Sequence, residues 1–140
     1  MTNPRELKAR YPYQFAFEPI DMGVTRGWFH LFSRLCAEID EALGEDKRGF
    51  HWIQLKEKLG SARMYFRLTE GVREREPELA QRLSSLAFAA EDASATVCAA
   101  CGRPGRIDRR AGYMLALCDK HHEARQAGTR GSVWFEEDES

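Results

Sequence analysis

The sequence lacks several features that would assign it to a class at once. Its 140 residues contain no apolar run as long as a membrane span, and the first residues include no apolar stretch of signal-peptide length. The 21 Lys and Arg residues nearly balance the 22 Asp and Glu residues, so no overall field favours nucleic acid or a membrane surface. We therefore expect a cytoplasmic globular protein with a core of its own and without membrane attachment.

Cysteine is scarce and unevenly placed. Three of the four cysteines belong to the pattern Cys98-x2-Cys101-x16-Cys118-x2-His121, which is followed directly by His122. Structural zinc takes four nitrogen or sulfur ligands, commonly as two short pairs separated by a span that folds back. The spacing predicts a structural Zn2+ on Cys98, Cys101, Cys118 and His121, whereas disulfides are not expected without an export signal. His122 is an alternative fourth ligand, because both histidines would share a helix face with Cys118.

The residues around these ligands predict a small zinc module over 98–131. Gly102 follows the second cysteine, where a tight knuckle favours a residue that tolerates positive φ. Strands are predicted at 106–109 and 113–117, and a helix over 118–125. A knuckle, a hairpin and a helix that carries the second ligand pair are typical of a zinc ribbon or treble clef. Four protein ligands leave no metal position for water, so we predict no catalytic residue and no enzymatic activity.

Two amphipathic helices are predicted before this module. Residues 27–43 place apolar side chains at helical spacing, and Cys36 beside that stripe is predicted to be a small core residue. A second helix is predicted to begin near Pro77 and to lead into Cys98. The predicted core faces are Trp28, Phe32, Leu35, Ile39 and Leu43 in the first helix and Leu79, Leu83, Leu86, Ala90, Ala93 and Val97 in the second.

Between the helices, residues 50–68 alternate apolar and polar side chains on both sides of Gly60-Ser61. This pattern predicts a β-hairpin with Gly60-Ser61 as its turn and Leu59 paired with Ala62. A slip by one residue would mix the apolar and polar sets, so the pattern selects the register. The predicted core face is Ile53, Leu55, Leu59, Ala62, Met64, Phe66 and Leu68, and the predicted polar face is Trp52, Gln54, Lys56, Lys58, Arg63, Tyr65 and Arg67.

The polar face of this hairpin carries four cations, two aromatic rings and no anion. Such a surface suits phosphates and stacked bases, so we predict a nucleic-acid contact, assisted by Arg109 and Arg110 of the zinc module. An acidic protein surface would fit the same residues, and an ordinary solvated strand face has a similar composition. The predicted binding residues of the hairpin are Trp52, Lys56, Lys58, Arg63, Tyr65 and Arg67.

A set of dispersed residues resembles a protein family. The set is Gly27-Trp28, Gln54-x-Lys56-Glu57-Lys58-x-Gly60-x-x-Arg63-x-Tyr65, Ser94, Cys98-x-x-Cys101-Gly102 and Cys118. It resembles a group of small uncharacterised proteins found in bacteriophage and prophage genomes. Relatives tend to have Phe at the place of Leu59, and their fourth ligand varies. The resemblance covers residues 27–122 and implies an accessory protein of a phage or integrated element in the bacterial cytoplasm, without a mechanism.

Together these patterns predict an α+β fold in which two amphipathic helices pack on a β-hairpin. The expected organisation is an α+β core over 1–97, a zinc-ribbon or treble-clef-like module over 98–131 and an acidic tail over 132–140. We expect a non-enzymatic, zinc-stabilised accessory protein that binds nucleic acid and uses no small-molecule cofactor. The alternatives are an inhibitor or adaptor of a host protein, such as a defence component, and a metal-dependent nuclease with His122 as its spare imidazole.

Overall fold

The computed structural model describes residues 2–109, 114–127 and 133–140. The described helices are α1 (Pro4–Arg10), α2 (Phe29–Leu43), α3 (Val72–Arg75), α4 (Pro77–Ser94) and α5 (Asp119–Gln126), with 3₁₀ turns at Pro12–Phe15, Arg26–Trp28 and Glu137–Glu139. The described strands are β1 (Ile20–Met22), β2 (His51–Lys58), β3 (Ser61–Arg67), β4 (Arg106–Asp108) and β5 (Leu115–Leu117). The expected mixture of helices and two antiparallel hairpins is confirmed. None of the described helices is both long and apolar enough to cross a membrane.

The larger sheet has the strand order β1-β2-β3. β2 and β3 form the predicted antiparallel hairpin, and the short β1 runs parallel to β2 with Ile20 beside Gln54. Neither β1 nor α1 is among the predicted elements. α1 begins where the side chain of Asn3 accepts a hydrogen bond from the Glu6 amide and Pro4 occupies the first turn, which are ordinary start signals of a helix.

Helix α2 and the 3₁₀ turn before it bury the stripe predicted from the helical spacing. All five predicted side chains are buried and belong to the main core. Cys36 lies beside them and is also buried, as predicted. Burial raises the pKa of the Cys36 thiol well above its ordinary value, so this residue is an inert part of the core.

Helix α4 begins at Pro77 as predicted, and its buried face includes Leu83 and Ala90 of the predicted set but is rotated from it. The predicted core residues Leu79 and Leu86 are only half-buried, so the predicted face is wrong in part. α4 packs against both α2 and β3, and small side chains permit a closer approach there than leucine would. The buried residues of α4 are Ala80, Leu83, Ala87, Ala90 and Ser94.

The turn between β2 and β3 differs from the predicted one. Lys58 pairs with Ser61, so Leu59 and Gly60 form a two-residue loop, with φ values of 54° and 92°. Two consecutive positive φ values are typical of the type I′ turn, which matches the twist of the flanking strands. The predicted pairing of Leu59 with Ala62 is wrong by two residues. Because side chains alternate with a period of two, the C-terminal half of β2 keeps its predicted faces. The prediction that Leu59 belongs to the core is wrong, because this residue lies in the loop and is 60 % exposed.

A β-bulge at Ile53 reverses the orientation of the first residues of β2. Gln54 pairs with Tyr65 while Trp52 pairs with Phe66, so Ile53 is an extra residue on its strand. Trp52 therefore points to the core, and its side chain is 0 % exposed. The prediction that Trp52 belongs to the polar face is wrong, because the bulge shifts the alternation by one residue. Ile53, predicted to be in the core, is half-buried.

Trp52 is held in the core by polar as well as apolar contacts. Its indole N–H donates to the side-chain oxygen of Gln14 at 3.1 Å. The Gln14 amide donates in turn to the Cys36 carbonyl at 2.9 Å and to the Tyr13 hydroxyl at 3.0 Å. Gln14 is fully buried, so these hydrogen bonds compensate its loss of hydration. The network ties the 3₁₀ turn Pro12–Phe15 to α2 and β2.

The C-terminal elements follow the predicted order, with shorter strands. β4 pairs with β5, Ile107 opposite Ala116, and α5 begins directly after Cys118. The predicted binding residue Arg110 and the first residue of the second predicted strand, 113, lie outside the described residues.

Candidate metal centre and basic sheet face

Four predicted ligands meet beside the C-terminal hairpin. The Sγ atoms of Cys98, Cys101 and Cys118 and a ring nitrogen of His121 all lie within 4.8 Å of one another. Cys98 and Cys101 follow α4, Cys118 is the N-cap residue of α5, and His121 lies in the first turn of that helix. This donor set fits a metal ion, and it contains His121 rather than the alternative His122.

The shortest distances in the cluster match a tetrahedral site. Cys101 Sγ and Cys118 Sγ are 3.7 Å apart, and His121 Nδ1 lies 3.2 Å from Cys118 Sγ and 3.6 Å from Cys98 Sγ. Tetrahedral bonds of about 2.3 Å to sulfur and about 2.0 Å to nitrogen would separate two sulfurs by about 3.8 Å and sulfur from nitrogen by about 3.5 Å. These three distances are therefore close to the edge lengths of a coordination tetrahedron.

Backbone hydrogen bonds shape the knuckle that carries the first ligand pair. The Cys98 N–H donates to the Arg103 carbonyl at 2.7 Å, and the Gly102 N–H donates to the Cys98 carbonyl at 2.9 Å. Gly102 has a φ of 81°, the conformation for which a glycine was predicted here. The Ala99 N–H donates to the Ala116 carbonyl at 2.7 Å, which joins the knuckle to β5.

The thiols of the cluster have different electrostatic surroundings. Burial by itself would raise the pKa of Cys118, but hydrogen bonds with the backbone and ring of His121 and with the other two thiols outweigh burial and lower this pKa to about 6. Burial raises the pKa of Cys101. Since the thiolate is the form that binds a metal, Cys118 is largely in its metal-binding form at neutral pH.

His122 contacts Asp108 instead of the cysteines. His122 Nδ1 lies 3.4 Å from Asp108 Oδ2, and Arg125 Nη1 lies 3.3 Å from the same oxygen. Asp108 is buried at the end of β4. These contacts fasten α5 to β4 and so fix the direction from which His121 approaches the cysteines. Sequence reasoning missed this cluster, because nothing in the spacing relates Asp108 to the helix.

The knuckle packs against the 3₁₀ turn before α2. The Gly27 N–H donates to the Ala99 carbonyl at 2.8 Å, and the Trp28 indole N–H donates to the Val97 carbonyl at 2.9 Å. A Cβ on Gly27 would overlap the carbonyl oxygen of Cys98, so this close approach requires glycine. The contact joins the first and last thirds of the chain, and sequence reasoning did not anticipate it.

The described residues around the candidate metal cluster, 98–109 and 114–127, which we call the metal module, have little apolar core of their own. The separate buried cluster of this module consists of Cys98, Leu117 and Cys118. Ala99 and Ala116 belong instead to the main core. A unit of this size does not fold by itself with so little buried apolar surface. The ligand cluster and the contacts with the main core must therefore supply the remaining stability.

The second candidate site is the face of the larger sheet that points away from the helices. The register of β2 and β3 places Lys56, Lys58, Arg63 and Arg67 on this face, around Tyr65. Tyr65 is 46 % exposed, and the four cations are exposed or half-buried. None of the four forms an ion pair with a carboxylate that the structure describes. We refer to these five residues as the basic face.

The bulge changes the surroundings of the basic face. Trp52 leaves it for the core, and His51 lies opposite Arg67. The exposed ring of Phe17 packs on His51, with the ring centroids 4.9 Å apart. His51 and Phe17 thus extend the face in a way that sequence reasoning missed. The sequence does contain a signal for the bulge. Trp52 and Leu55 are three residues apart, whereas residues on one face of a regular strand are separated by an even number of positions.

Arg109 and Arg110 of the zinc module were predicted to assist this face, and the structure describes the first of them. The tip of the β2–β3 hairpin lies against β4, since a Cβ on Gly60 would be 3.1 Å from the side chain of Ile107. β4 therefore lies at the tip end of the basic face. Arg109 is exposed directly after β4, and Arg110 is outside the described ranges.

The described part of the acidic tail, residues 133–140, folds back on the turn before α2. The Arg26 N–H donates to the Val133 carbonyl at 2.7 Å, and its guanidinium donates to the Glu139 carboxylate at 2.7 Å. The same guanidinium lies 5.0 Å from the ring centroid of Phe135, which packs edge-to-face on Phe29. The tail thus covers the residues next to the Gly27 contact.

Comparisons of this chain with protein-family models, with curated proteins and with solved structures find no match. No function is therefore carried over from a relative. The metal cluster and the basic face are the observations from which a function is inferred.

Proposed function

We propose that the four-residue cluster binds a structural Zn2+ and that the knuckle, β4, β5 and α5 form a treble-clef-like module around it. Three cysteines and one histidine at tetrahedral spacing favour zinc over the hard cations calcium and magnesium, which prefer oxygen ligands. Four protein ligands leave no position for water, so the proposed role is structural rather than catalytic. Zinc would supply the stability that the small apolar cluster of the module does not provide.

We further propose that the protein binds single-stranded nucleic acid through the basic face. The observation that carries this proposal is a set of four cations, without a described ion-pair partner, around the exposed ring of Tyr65. Lys and Arg would contact the phosphates, and a base would stack on Tyr65. An exposed ring on an open sheet suits unpaired bases, whose flat faces are free, better than a duplex whose bases stack on each other.

The pairing of like charges supports a polyanionic ligand. Lys56 lies directly opposite Arg63 on the neighbouring strand. Like charges in this position destabilise a sheet by an amount on the order of 0.2–1 kcal/mol. A string of phosphates would neutralise both side chains and remove that repulsion. Binding would therefore be coupled to stability, and the complex should melt at a higher temperature than the free protein.

The test is the dissociation constant of the zinc-loaded protein for labelled oligo-dT, oligo-U and duplex DNA at low and at physiological salt. We expect tighter binding to the single strands and a steep loss of affinity with salt. Lys56→Glu and Arg63→Glu should each weaken binding by about tenfold or more, and Tyr65→Ala should cost about 1–3 kcal/mol. Arg34→Glu, on the exposed side of α2, changes the net charge equally and should leave the affinity nearly unchanged.

Two outcomes would contradict the nucleic-acid proposal. One is the absence of salt-sensitive binding at low salt, and the other is an equal effect of Arg34→Glu and Arg63→Glu. Either would favour the inhibitor or adaptor hypothesis, in which the same cations meet an acidic host protein. Metal-dependent shortening of the oligonucleotides that His122→Ala abolishes would favour the nuclease hypothesis. The phage or prophage context stays a prediction of the resemblance.

A further inference from the structure

A groove of about 490 Å3 runs between the edge of β3 and the exposed side of α4. Its lining includes Tyr65, Phe66, Arg73, Gln81, Ser85 and Phe88. Phe88 is 68 % exposed, which is unusual for a phenylalanine on a helix that packs against a sheet. Neither the metal cluster nor the basic face accounts for an exposed aromatic ring on this side of the molecule.

The edge of β3 is capped over only part of its length. The Ala62 N–H donates to Ser94 Oγ and the Met64 N–H donates to Glu91 Oε2, each at 2.7 Å, so side chains of α4 satisfy the outward donors there. By the alternation of the strand, the next outward donor is the N–H of Phe66. Among the described residues, no hydrogen bond is found from this N–H to a group outside the β2–β3 ladder, and Phe66 lines the groove. The capping of the edge therefore ends where the groove opens.

A free donor on a strand edge is matched by the carbonyl of another extended backbone. Unprotected edges pair readily with further strands, and proteins commonly cap them for that reason. In β-strand addition, main-chain hydrogen bonds supply affinity and alternate side chains of the added peptide supply specificity. The backbone chemistry of the groove thus identifies an extended polypeptide as its occupant rather than a helix or a nucleic acid.

The charge and the apolar surface of the groove restrict the side chains of that polypeptide. The guanidinium of Arg73 lies 5.2 Å from the ring centroid of Phe66, and it forms no ion pair with a carboxylate that the structure describes. An acidic side chain would complement Arg73. An apolar side chain would cover Phe88 and remove its ring from water.

We propose that this groove binds an extended peptide segment of a partner protein as a further strand beside the second half of β3. The segment carries an acidic side chain that pairs with Arg73 and an apolar side chain that packs on Phe88. The Phe66 N–H donates to a carbonyl of the segment. The groove shares Tyr65 with the basic face, whereas Arg73, Phe88 and the Phe66 N–H belong to the groove alone, so substitutions of Arg73 and Phe88 separate the two sites.

The experiment begins with a library of surface-displayed random peptides that is selected against the full-length, zinc-loaded protein. An enriched peptide is then synthesised as the probe. Phe88→Ala and Arg73→Glu should each weaken its binding by about tenfold or more. Lys56→Glu and Arg34→Glu should leave the dissociation constant unchanged. Both groove positions are exposed, so the variants should keep the thermal stability of the parent protein.

Methylation of peptide nitrogens tests the backbone pairing directly. Alternate N–H groups of a strand point to opposite sides, so methylating the set that faces β3 should abolish binding, and methylating the other set should not. The Phe66 amide should shift in NMR spectra and exchange more slowly with solvent when the peptide is bound. The proposal is overturned if no peptide is enriched, if enriched peptides ignore both groove variants, or if both methylated sets bind equally.

Discussion

The main core and the metal module hold their side chains in place by different means. The core packs large rings against one another, including Trp28, Phe32, Phe50 and Trp52, all of them fully or almost fully buried. The described cluster of the module is small and consists mainly of cysteine. Where ligands fix positions, their spacing is visible in the sequence. Where packing fixes positions, a single bulge residue can turn a neighbouring side chain to the opposite face of the sheet. The composition of the segment gives no sign of this change.

The largest expected effect is the loss of the metal module on Cys118→Ser or on complete chelation. Structural zinc contributes about 10–16 kcal/mol of binding energy in zinc-finger peptides, and the small apolar cluster of this module cannot replace it. Amide NMR signals of residues 98–127 should lose their dispersion, while the helical signals of the core remain. Metal content and spectra measured on the same samples check this expectation.

Cys36→Ala is the matched control for the cysteine substitution. Cys36 is buried in the main core, outside the ligand cluster, so its loss should lower stability but leave one metal ion per chain. Native amide dispersion over residues 98–127 in protein shown to be free of metal would contradict the structural role of zinc.

A smaller effect is expected where the two regions meet. Gly27→Ala places a methyl group on the Cys98 carbonyl and should lower the free energy of unfolding by about 3 kcal/mol. The methyl carbon is fixed to the backbone and meets a backbone carbonyl, so neither group can rotate away. Gly44→Ala is the comparison: Gly44 has a φ of 70° and a ψ of −146°, a conformation that strongly favours glycine, with open space around it, so backbone strain of about 1–3 kcal/mol is added without a clash. Urea unfolding measures both values. A cost of Gly27→Ala below about 1 kcal/mol would show that the knuckle yields to the methyl group.

The smallest expected effect separates Trp52 from the basic face. Trp52→Phe removes the hydrogen bond to Gln14 and should lower the free energy of unfolding by about 1–2 kcal/mol. The affinity for oligo-dT should not change, because Trp52 is buried. Unchanged stability together with weakened oligonucleotide binding would instead show that Trp52 lies on the polar face, as the sequence pattern predicted.

The extent to which the fold follows from the sequence differs between the two regions for physical reasons. Cys98, Cys101, Cys118 and His121 meet as their spacing predicts, and His121 rather than His122 completes the cluster because contacts with Asp108 hold the second histidine away. Tetrahedral coordination demands short ligand pairs, so its signal is local. The structure therefore adds mainly the choice between two adjacent imidazoles.

The hairpin and α4 were predicted less completely. Their positions and the start at Pro77 follow from alternation and helical spacing, but the bulge at Ile53 and the buried face of α4 do not. In both cases the tertiary partner decides: Trp52 fits beside Gln14, and Ala87 allows α4 to approach β3. Neither partner is near in sequence, so no local pattern reveals it.

The contacts of the turn before α2 have a consequence for the order of events during synthesis. Trp28 binds a carbonyl 69 residues later, and Arg26 binds groups 108 and 113 residues later. At about 5–20 residues per second, the ribosome delivers the last of these partners about 6–23 s after the turn itself. Until then the beginning of α2 lacks its native cover, and the chain must avoid aggregation in that interval. The joint between the two regions therefore forms in two late steps: the Trp28 contact needs residue 97, and the Arg26 contacts need residues 134 and 139.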